Sequence, residues 1–236
     1  MTARRIRTGL IGTGVLILFS AVYGHWDSAR ALAQESGKPF YALVDRAEGR
    51  PVARGDKGEV ALTRGVRIEE NQSVITGPGE MVALKLSTGD DVIVMENSQI
   101  TVTRQSGKSP KLDVVNLFQG KGFTWSRIEP SKSTQRFTVT TPSAAAGIRG
   151  TSFSARVDPA TGDEGFCVCE GVIEVKAGGD TGQVRAGEYM GVSNGSKPEK
   201  PFGDLGLLKY PSPKTKQCLS CHQGGNSRDA FYAQGR

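Results

Sequence analysis

An all-β architecture, a sandwich or roll of many short strands, is the expectation from three features of the 236-residue chain. Glycine is plentiful at 31 residues, roughly twice the ordinary share, so turns are abundant. Apolar and polar residues alternate in short runs about ten residues apart, the period of half-buried strands. No 11-residue window between Phe40 and Val192 sustains helical spacing, which argues against a bundle. The length is enough to bury a substantial core.

The strands can be read off in order. Val82-Ala83-Leu84-Lys85-Leu86 runs into Ser87-Thr88-Gly89-Asp90, and Val92-Ile93-Val94-Met95 returns from it, a hairpin whose Gly89 can take positive φ. Ile100–Thr103, Leu112–Val115, Phe137–Thr140, Ser152–Val157 and Val172–Val175 repeat the pattern. Past Val192 the composition changes to Asn194-Gly195-Ser196-Lys197-Pro198 and then Tyr210-Pro211-Ser212-Pro213-Lys214, an extended tail with at most one helical turn near Leu205–Leu208. The expected organisation is therefore a β-domain over 40–195, a linker over 196–217 and a terminal segment over 218–236.

The start reads as an export signal over 1–33. Arg4, Arg5 and Arg7 form a positive stretch, and the 16 residues Thr8–Tyr23 that follow are uncharged and mostly apolar. Ala31-Leu32-Ala33 is a small-x-small cleavage site, which places the mature start at Gln34. Retention as an inner-membrane anchor is the alternative, and the only route by which a membrane becomes a partner; the apolar run is shorter than the roughly 20 residues that span a bilayer comfortably. Either way the body is expected outside the cytoplasm, in the periplasm, where thiols are oxidised. The formal net charge of +6 falls to +3 beyond residue 33, with no Lys/Arg block, so nucleic acid is not an expected partner.

Between Val60 and Gly195 several segments fall in a recognisable order. Phe137-Thr138-Val139-Thr140-Thr141-Pro142 precedes Gly147-Ile148-Arg149-Gly150-Thr151-Ser152-Phe153. Ile75-Thr76-Gly77 and Glu96-Asn97-Ser98 come earlier, and Cys169-Glu170-Gly171-Val172 later. This order resembles the FecR domain, an extracytoplasmic β-module of a ferric-citrate signalling protein. The resemblance implies a β-rich fold and no set activity. Few residues precede the apolar segment, so the family's cytoplasmic sigma-factor-binding region, and the regulatory role that goes with it, is not expected here. Read for itself, the Arg149 block supplies turn geometry through Gly147 and Gly150, with a half-buried arginine bonding strand-end carbonyls or, less simply, touching a ligand.

The chemistry lies near the C-terminal end. Cys218-Leu219-Ser220-Cys221-His222 is a C-x-x-C-H sequence, the attachment motif of a c-type haem (haem c). Two thiols at that spacing reach the two vinyl groups, and the adjacent imidazole of His222 meets the iron as proximal ligand. A disulfide between Cys218 and Cys221, or a zinc site shared with Cys167 and Cys169, are the competing readings; the first leaves the histidine unexplained and the second is unusual where thiols are oxidised. With 14 residues after His222 and no apolar helix pair before Cys218, an ordinary helical cytochrome c domain is not expected, and the haem would lie against the β-domain, a partner or water.

Once His25 leaves with the signal, His222 is the sole histidine, so a second axial histidine has no source within one chain. Met190, flanked by glycine at 191 and nearest the tail, is the preferred candidate for a distal ligand, while Met95 reads as core filling. Cys167 and Cys169, two apart on a strand, share a face opposite Phe166 and Val168, with Cα atoms about 6.5 Å apart and poorly placed for a mutual disulfide. They are core thiols or a redox pair near the haem. No Ser/His/Asp, Cys/His or paired-carboxylate grouping suggests an enzyme. Two functions stand: a monohaem carrier of electrons or sensor of redox state or haem, working with an envelope or redox protein, and a non-redox envelope binding or scaffold protein with structural disulfides.

Overall fold

A computed structural model of the chain describes residues 39–106, 113–130 and 136–203. These residues form strands and turns without a helix, as the alternation predicts. The first eight strands are β1 (Tyr41–Glu48), β2 (Val52–Gly55), β3 (Gly58–Ala61), β4 (Arg67–Glu69), β5 (Ser73–Ile75), β6 (Met81–Leu86), β7 (Asp91–Val94) and β8 (Gln99–Ser106). The long β9 (Asp113–Arg127) follows. After it come β10 (Arg136–Thr140), β11 (Ala144–Ile148), β12 (Ser152–Asp158), β13 (Asp163–Glu170), β14 (Val172–Ala177), β15 (Asp180–Arg185), β16 (Glu188–Ser193) and β17 (Phe202–Gly203).

The pairings make one continuous sheet folded over on itself at β9 into two layers. One layer runs β4-β1-β6-β7-β9-β12-β13-β16-β17 and the other β3-β2-β5-β8-β9-β10-β11-β14-β15. All pairs among the described residues are antiparallel except β9 with β10. The first half of β9, paired with β8 and β10, belongs to the second layer; its last residues, paired with β7 and β12, belong to the first. Between the layers lies a single large core, with Val44, Leu84, Val94, Phe153 and Phe166 from one side and Ile100, Leu117, Val139, Ile173 and Val184 from the other. Alternation puts these side chains on the inner face and water on much of the other.

The bend in β9 is fixed by backbone geometry. Gly122 has φ +89, a conformation L side chains rarely adopt, and a Cβ there would collide with the backbone and hydroxyl of Ser98. Ser98 needs that approach: its Oγ accepts the Phe123 amide at 2.9 Å and donates to the Phe123 carbonyl at 3.2 Å. On the inner side, the buried Gln119 amide donates to the carbonyls of Gly122 (2.9 Å) and Ala155 (3.1 Å), and its oxygen accepts the Thr124 hydroxyl at 2.7 Å. Every polar atom of that side chain is thereby satisfied, which lets it sit in an apolar core.

The family-like segments brace such crossings. The Asn97 amide donates to the Gly77 carbonyl, that of Thr76 to the Ser98 carbonyl, and that of Gly79 to Glu96 Oε2. These contacts hold Ser98 against Gly122. The Gly150-Thr151 step carries the chain from β11 in one layer to β12 in the other: Gly150 has φ +61 with Pro130 packed against it, and Thr151 exchanges backbone hydrogen bonds with Ile128. The Thr151 hydroxyl is shared between the carbonyls of Arg149 and Val172. Glu164, buried in β13, accepts the Thr141 hydroxyl and the Ser143 amide, fastening the turn between β10 and β11.

The hairpin of β6 and β7 turns at Gly89, φ +98, as its sequence suggests. Beside it, Asp90 Oδ1 accepts the Glu129 amide and Oδ2 the Thr88 hydroxyl; burial pushes its carboxyl above the usual range, opposed by those hydrogen bonds. Strand pairing continues to β17, where Tyr189 faces Phe202 and Glu188 faces Gly203. Strand pairing therefore continues past residue 195, because the free edge of β16 takes a partner from what composition alone assigns to linker.

Two glycines with positive φ separate conformation from contact. Nothing lies within 4 Å of a Cβ at Gly89, so Gly89→Ala is expected to cost about 1–2 kcal/mol of backbone strain. Gly122→Ala adds the collision with Ser98 and is expected to cost more than about 4 kcal/mol or prevent folding. Urea unfolding of both variants checks this, and equal losses would contradict it.

Candidate functional site

Alternation along β13 sends Phe166 and Val168 into the core and leaves Cys167 and Cys169 on the opposite, outward face. The shared face expected for the two cysteines is thus what the strand provides. Cys167 is buried and Cys169 half-buried. Cys167 stands between Ser154 of β12 and Tyr189 of β16.

Register extends that position into a lateral row across the outward face of the first layer. Ala83 pairs with Ile93, Ile93 with Trp125, Trp125 with Ser154, Ser154 with Cys167, Cys167 with Tyr189, and Tyr189 with the backbone of Phe202. Ala83, Ile93 and Trp125 form a second apolar cluster, separate from the main core, with Met81, Met95 and Cys169 packed against it. Phe123, two residues before Trp125, is on the same face beside Arg156. The next row is floored by glycine: the Tyr189 hydroxyl lies where a Cβ of Gly165 would be, and the Glu199 carboxylate stands 2.5 Å from where a Cβ of Gly191 would be. The chain leaving β16 thus folds back towards this face, with the Glu199 amide donating to the Gly191 carbonyl at 2.9 Å.

The other sequence candidates are dispersed. Met190, in register with Phe166, points into the main core, 0% exposed, with its Cε 2.5 Å from where a Cβ of Gly182 would be. Reaching an iron outside the sandwich would require it to leave that packing. Met95, expected as core filling, lies instead at the outward cluster, just past the end of β7. Arg149 is exposed, not half-buried, and in this block it is the Thr151 hydroxyl that bonds carbonyls, those of Arg149 and Val172. Cys218, Cys221 and His222, with the signal segment and the Leu205–Leu208 turn, lie outside the described residues. Among the described residues no group of three or more His, Cys, Asp or Glu side chains gathers to hold a metal ion.

The Trp125 cluster is the feature that reading strand by strand misses. Its signal is present in the sequence: Phe123, Trp125 and Arg127 alternate with Thr124 and Ser126, so the large residues occupy one face and the small ones the other. Which face meets the core cannot be told until the bend at Gly122 is known.

Comparison with known proteins agrees with the domain-level resemblance. Residues 72–179, from just before β5 to just past β14, match the family model described as FecR protein. Two crystal structures of a protein from Parabacteroides distasonis, described provisionally as an anti-sigma factor, at 1.65 and 2.50 Å resolution, are similar at 15% identity and a TM-score of 0.47. Each comparison covers 59% of this chain, and the chain spans just under two thirds of those structures, 65% and 64%. No curated protein sequence matches.

The Tyr189–Gly165 contact is open to a direct test. Gly165→Ala is expected to destabilise the domain by about 1–3 kcal/mol by displacing the tyrosine ring. In a Tyr189→Ala background at least half of that loss should disappear, as measured by a double-mutant cycle of urea midpoints. Additive losses would show that the ring does not occupy the glycine floor.

Proposed function

We propose that the chain is an extracytoplasmic FecR-domain protein that carries one covalent c-type haem on its C-terminal segment and serves in electron transfer or in redox or haem sensing, without catalytic turnover. One observation carries this reading: Cys218-Leu219-Ser220-Cys221-His222 stands in a sequence that opens like an export signal, beyond the described strands of the β-domain. The domain-level match supports the FecR part, and the Arg4-Arg5…Ala31-Leu32-Ala33 start supports export to the periplasm.

In this reading Cys218 and Cys221 tether the porphyrin through thioethers, and His222 donates an imidazole nitrogen to the iron. Such a group supplies a one-electron ferric/ferrous couple whose potential follows the axial ligands and the burial of the ring. The β-domain supports the segment and does no chemistry itself. Its main core is filled, with Phe153 and Phe166 at 0% exposure, so the ring would lie on the outside of the sandwich. Met190, held in that core, makes a distal ligand only at the expense of its packing. In this reading Cys167 and Cys169, on the outward face, are the thiols that would respond to a change of redox state nearby.

Protein exported from cells with haem-attachment machinery should carry one haem that survives acid-acetone extraction. Cys218→Ala/Cys221→Ala should abolish it, and His222→Ala should leave a high-spin spectrum or block maturation. His222 has no substitute beyond residue 33, so redundancy offers no escape. A colourless parent protein would overturn the haem assignment in favour of an envelope binding or scaffold role.

A further inference from the structure

Among the described residues the two layers differ in what they show to water. On the outward side of the first, register sets Lys85 beside Asp91 and Asp91 beside Arg127, with Lys85 and Asp91 ion-paired at 2.8 Å. The second layer has no counterpart at its centre. There Ser73 pairs with Thr101, Thr101 with Phe118, Phe118 with Thr140, and Thr140 with Ala145. Thr103, Asn116, Thr138 and Gly147 make the next row, one pleat further along β8 to β11. The residues between them, such as Val102, Leu117, Val139 and Ala146, fill the main core, so both rows face outward. Neither row carries a charge, and Phe118 is 43% exposed. Solvated sheet faces ordinarily mix in charged side chains, which keep them from sticking to other surfaces, so a neutral centre calls for a reason.

The surface also has low relief. A Cβ at Gly147 would meet only the Glu174 carbonyl oxygen, at 4.0 Å, and the Phe118 ring lies along β9 with its Cε1 3.5 Å from where a Cβ of Gly120 would be. Long charged side chains stand at the two ends. Arg54 holds Glu59 at 2.8 Å beyond Ser73, and Lys176 holds Glu174 at 3.2 Å beyond Ala145 and Gly147. Paired with each other, they leave little net charge to draw an ion. The result is a shallow neutral trough, about 19 Å from β5 to β11 at the usual strand spacing.

Its polar groups are partly set in advance. Ser73 and Thr101 share a hydrogen bond at 2.8 Å, and the Thr140 hydroxyl donates to Asn116 Oδ1 at 3.2 Å. The Asn116 amide nitrogen is then the group left to donate to a ligand, while the hydroxyls of Thr103 and Thr138 can donate or accept. Such a surface selects a molecule that is uncharged, rich in hydroxyls and flat, with an apolar face. An extended β-linked sugar chain has these properties. Its ring C–H groups stack on an aromatic ring, and its equatorial hydroxyls meet hydroxyl and amide side chains. Its advance per sugar is close to the strand spacing of about 4.8 Å, so successive sugars can sit over successive strands.

We propose that the outward face of β8, β9, β10 and β11, centred on Phe118, binds a neutral β-linked polysaccharide chain laid across the strands. Phe118 is the stacking platform, Asn116, Thr103 and Thr138 supply hydrogen bonds, and Ala145 and Gly147 give clearance. The site is on the layer away from Cys167 and Cys169 and rests on no haem.

Calorimetric titration of the full chain with cellohexaose and with chitohexaose tests this. Maltohexaose, the α-linked and helical counterpart of cellohexaose, is the comparison. At least one β-linked chain should bind about tenfold more tightly than maltohexaose, and the preference between the two shows whether N-acetyl groups take part. Phe118→Ala should weaken that binding about tenfold. Gly147→Lys should abolish it by raising the floor where the backbone has room for a side chain. Leu43→Ala, at a residue 39% exposed on the other layer, should leave it unchanged. In the unaltered chain, sugar-induced amide shifts should centre on Thr101, Asn116, Phe118 and Thr138, a readout that no folding defect can imitate. No binding of either β-linked chain, equal binding of maltohexaose, shifts centred elsewhere, or an affinity untouched by Phe118→Ala would each overturn the proposal.

Discussion

The close approach of Gly122 to Ser98 is the constraint on which the two-layer architecture rests. A strand that serves two sheets must change direction without losing its hydrogen bonds, and β9 does so where a side chain would collide with Ser98. The Ser98 hydroxyl takes both polar groups of Phe123, and Gln119 takes the carbonyl of Gly122, so the bend leaves none of these groups unsatisfied. The segments that hold Ser98 in place, Thr76-Gly77 and Glu96-Asn97, are the same ones whose order resembles the FecR domain. A second crossing at Gly150-Thr151 repeats the solution with Pro130, Ile128 and the Thr151 hydroxyl. The family pattern can thus be understood as the chemistry of chain crossings.

The bend decides what each side of the first layer presents. Thr124 and Ser126 turn inward beside Val94, Val92 and Phe153, leaving Phe123 and Trp125 to the outward face. Had the strand continued without the bend at Gly122, its alternation would place different residues in the core, since a one-residue slip exchanges the two faces. The outward apolar row and the buried core are two consequences of one register.

Much of this was legible in the sequence. The β6–β7 hairpin, the strands at Ile100, Phe137, Ser152 and Val172, and the shared face of Cys167 and Cys169 all follow from alternation and turn residues. The length of β9 was not: Leu112–Val115 signals a strand, but Gly120-Lys121-Gly122 has the composition of a turn, and only tertiary contact with Ser98 makes it a bend within a strand. The placement of Met190 and Met95 was also illegible. Met190 lies within the short β16 and Met95 just past the short β7, and which one enters the core depends on a register set elsewhere. The pairing of Phe202–Gly203 escaped because a two-residue edge strand among prolines and lysines has no periodicity to detect.

The proposed division of labour between the β-domain and a haem-bearing segment is the central claim, and thermal unfolding of a chain ending at Gly203 tests it most directly. The main core is assembled largely from side chains of β1 to β16, and β17 pairs along the edge of β16. On this account calorimetry of residues 34–203 should show one cooperative transition within about 5 °C of that of residues 34–236. Absence of a cooperative transition in the shortened chain would contradict the account, because the terminal segment would then be part of the core.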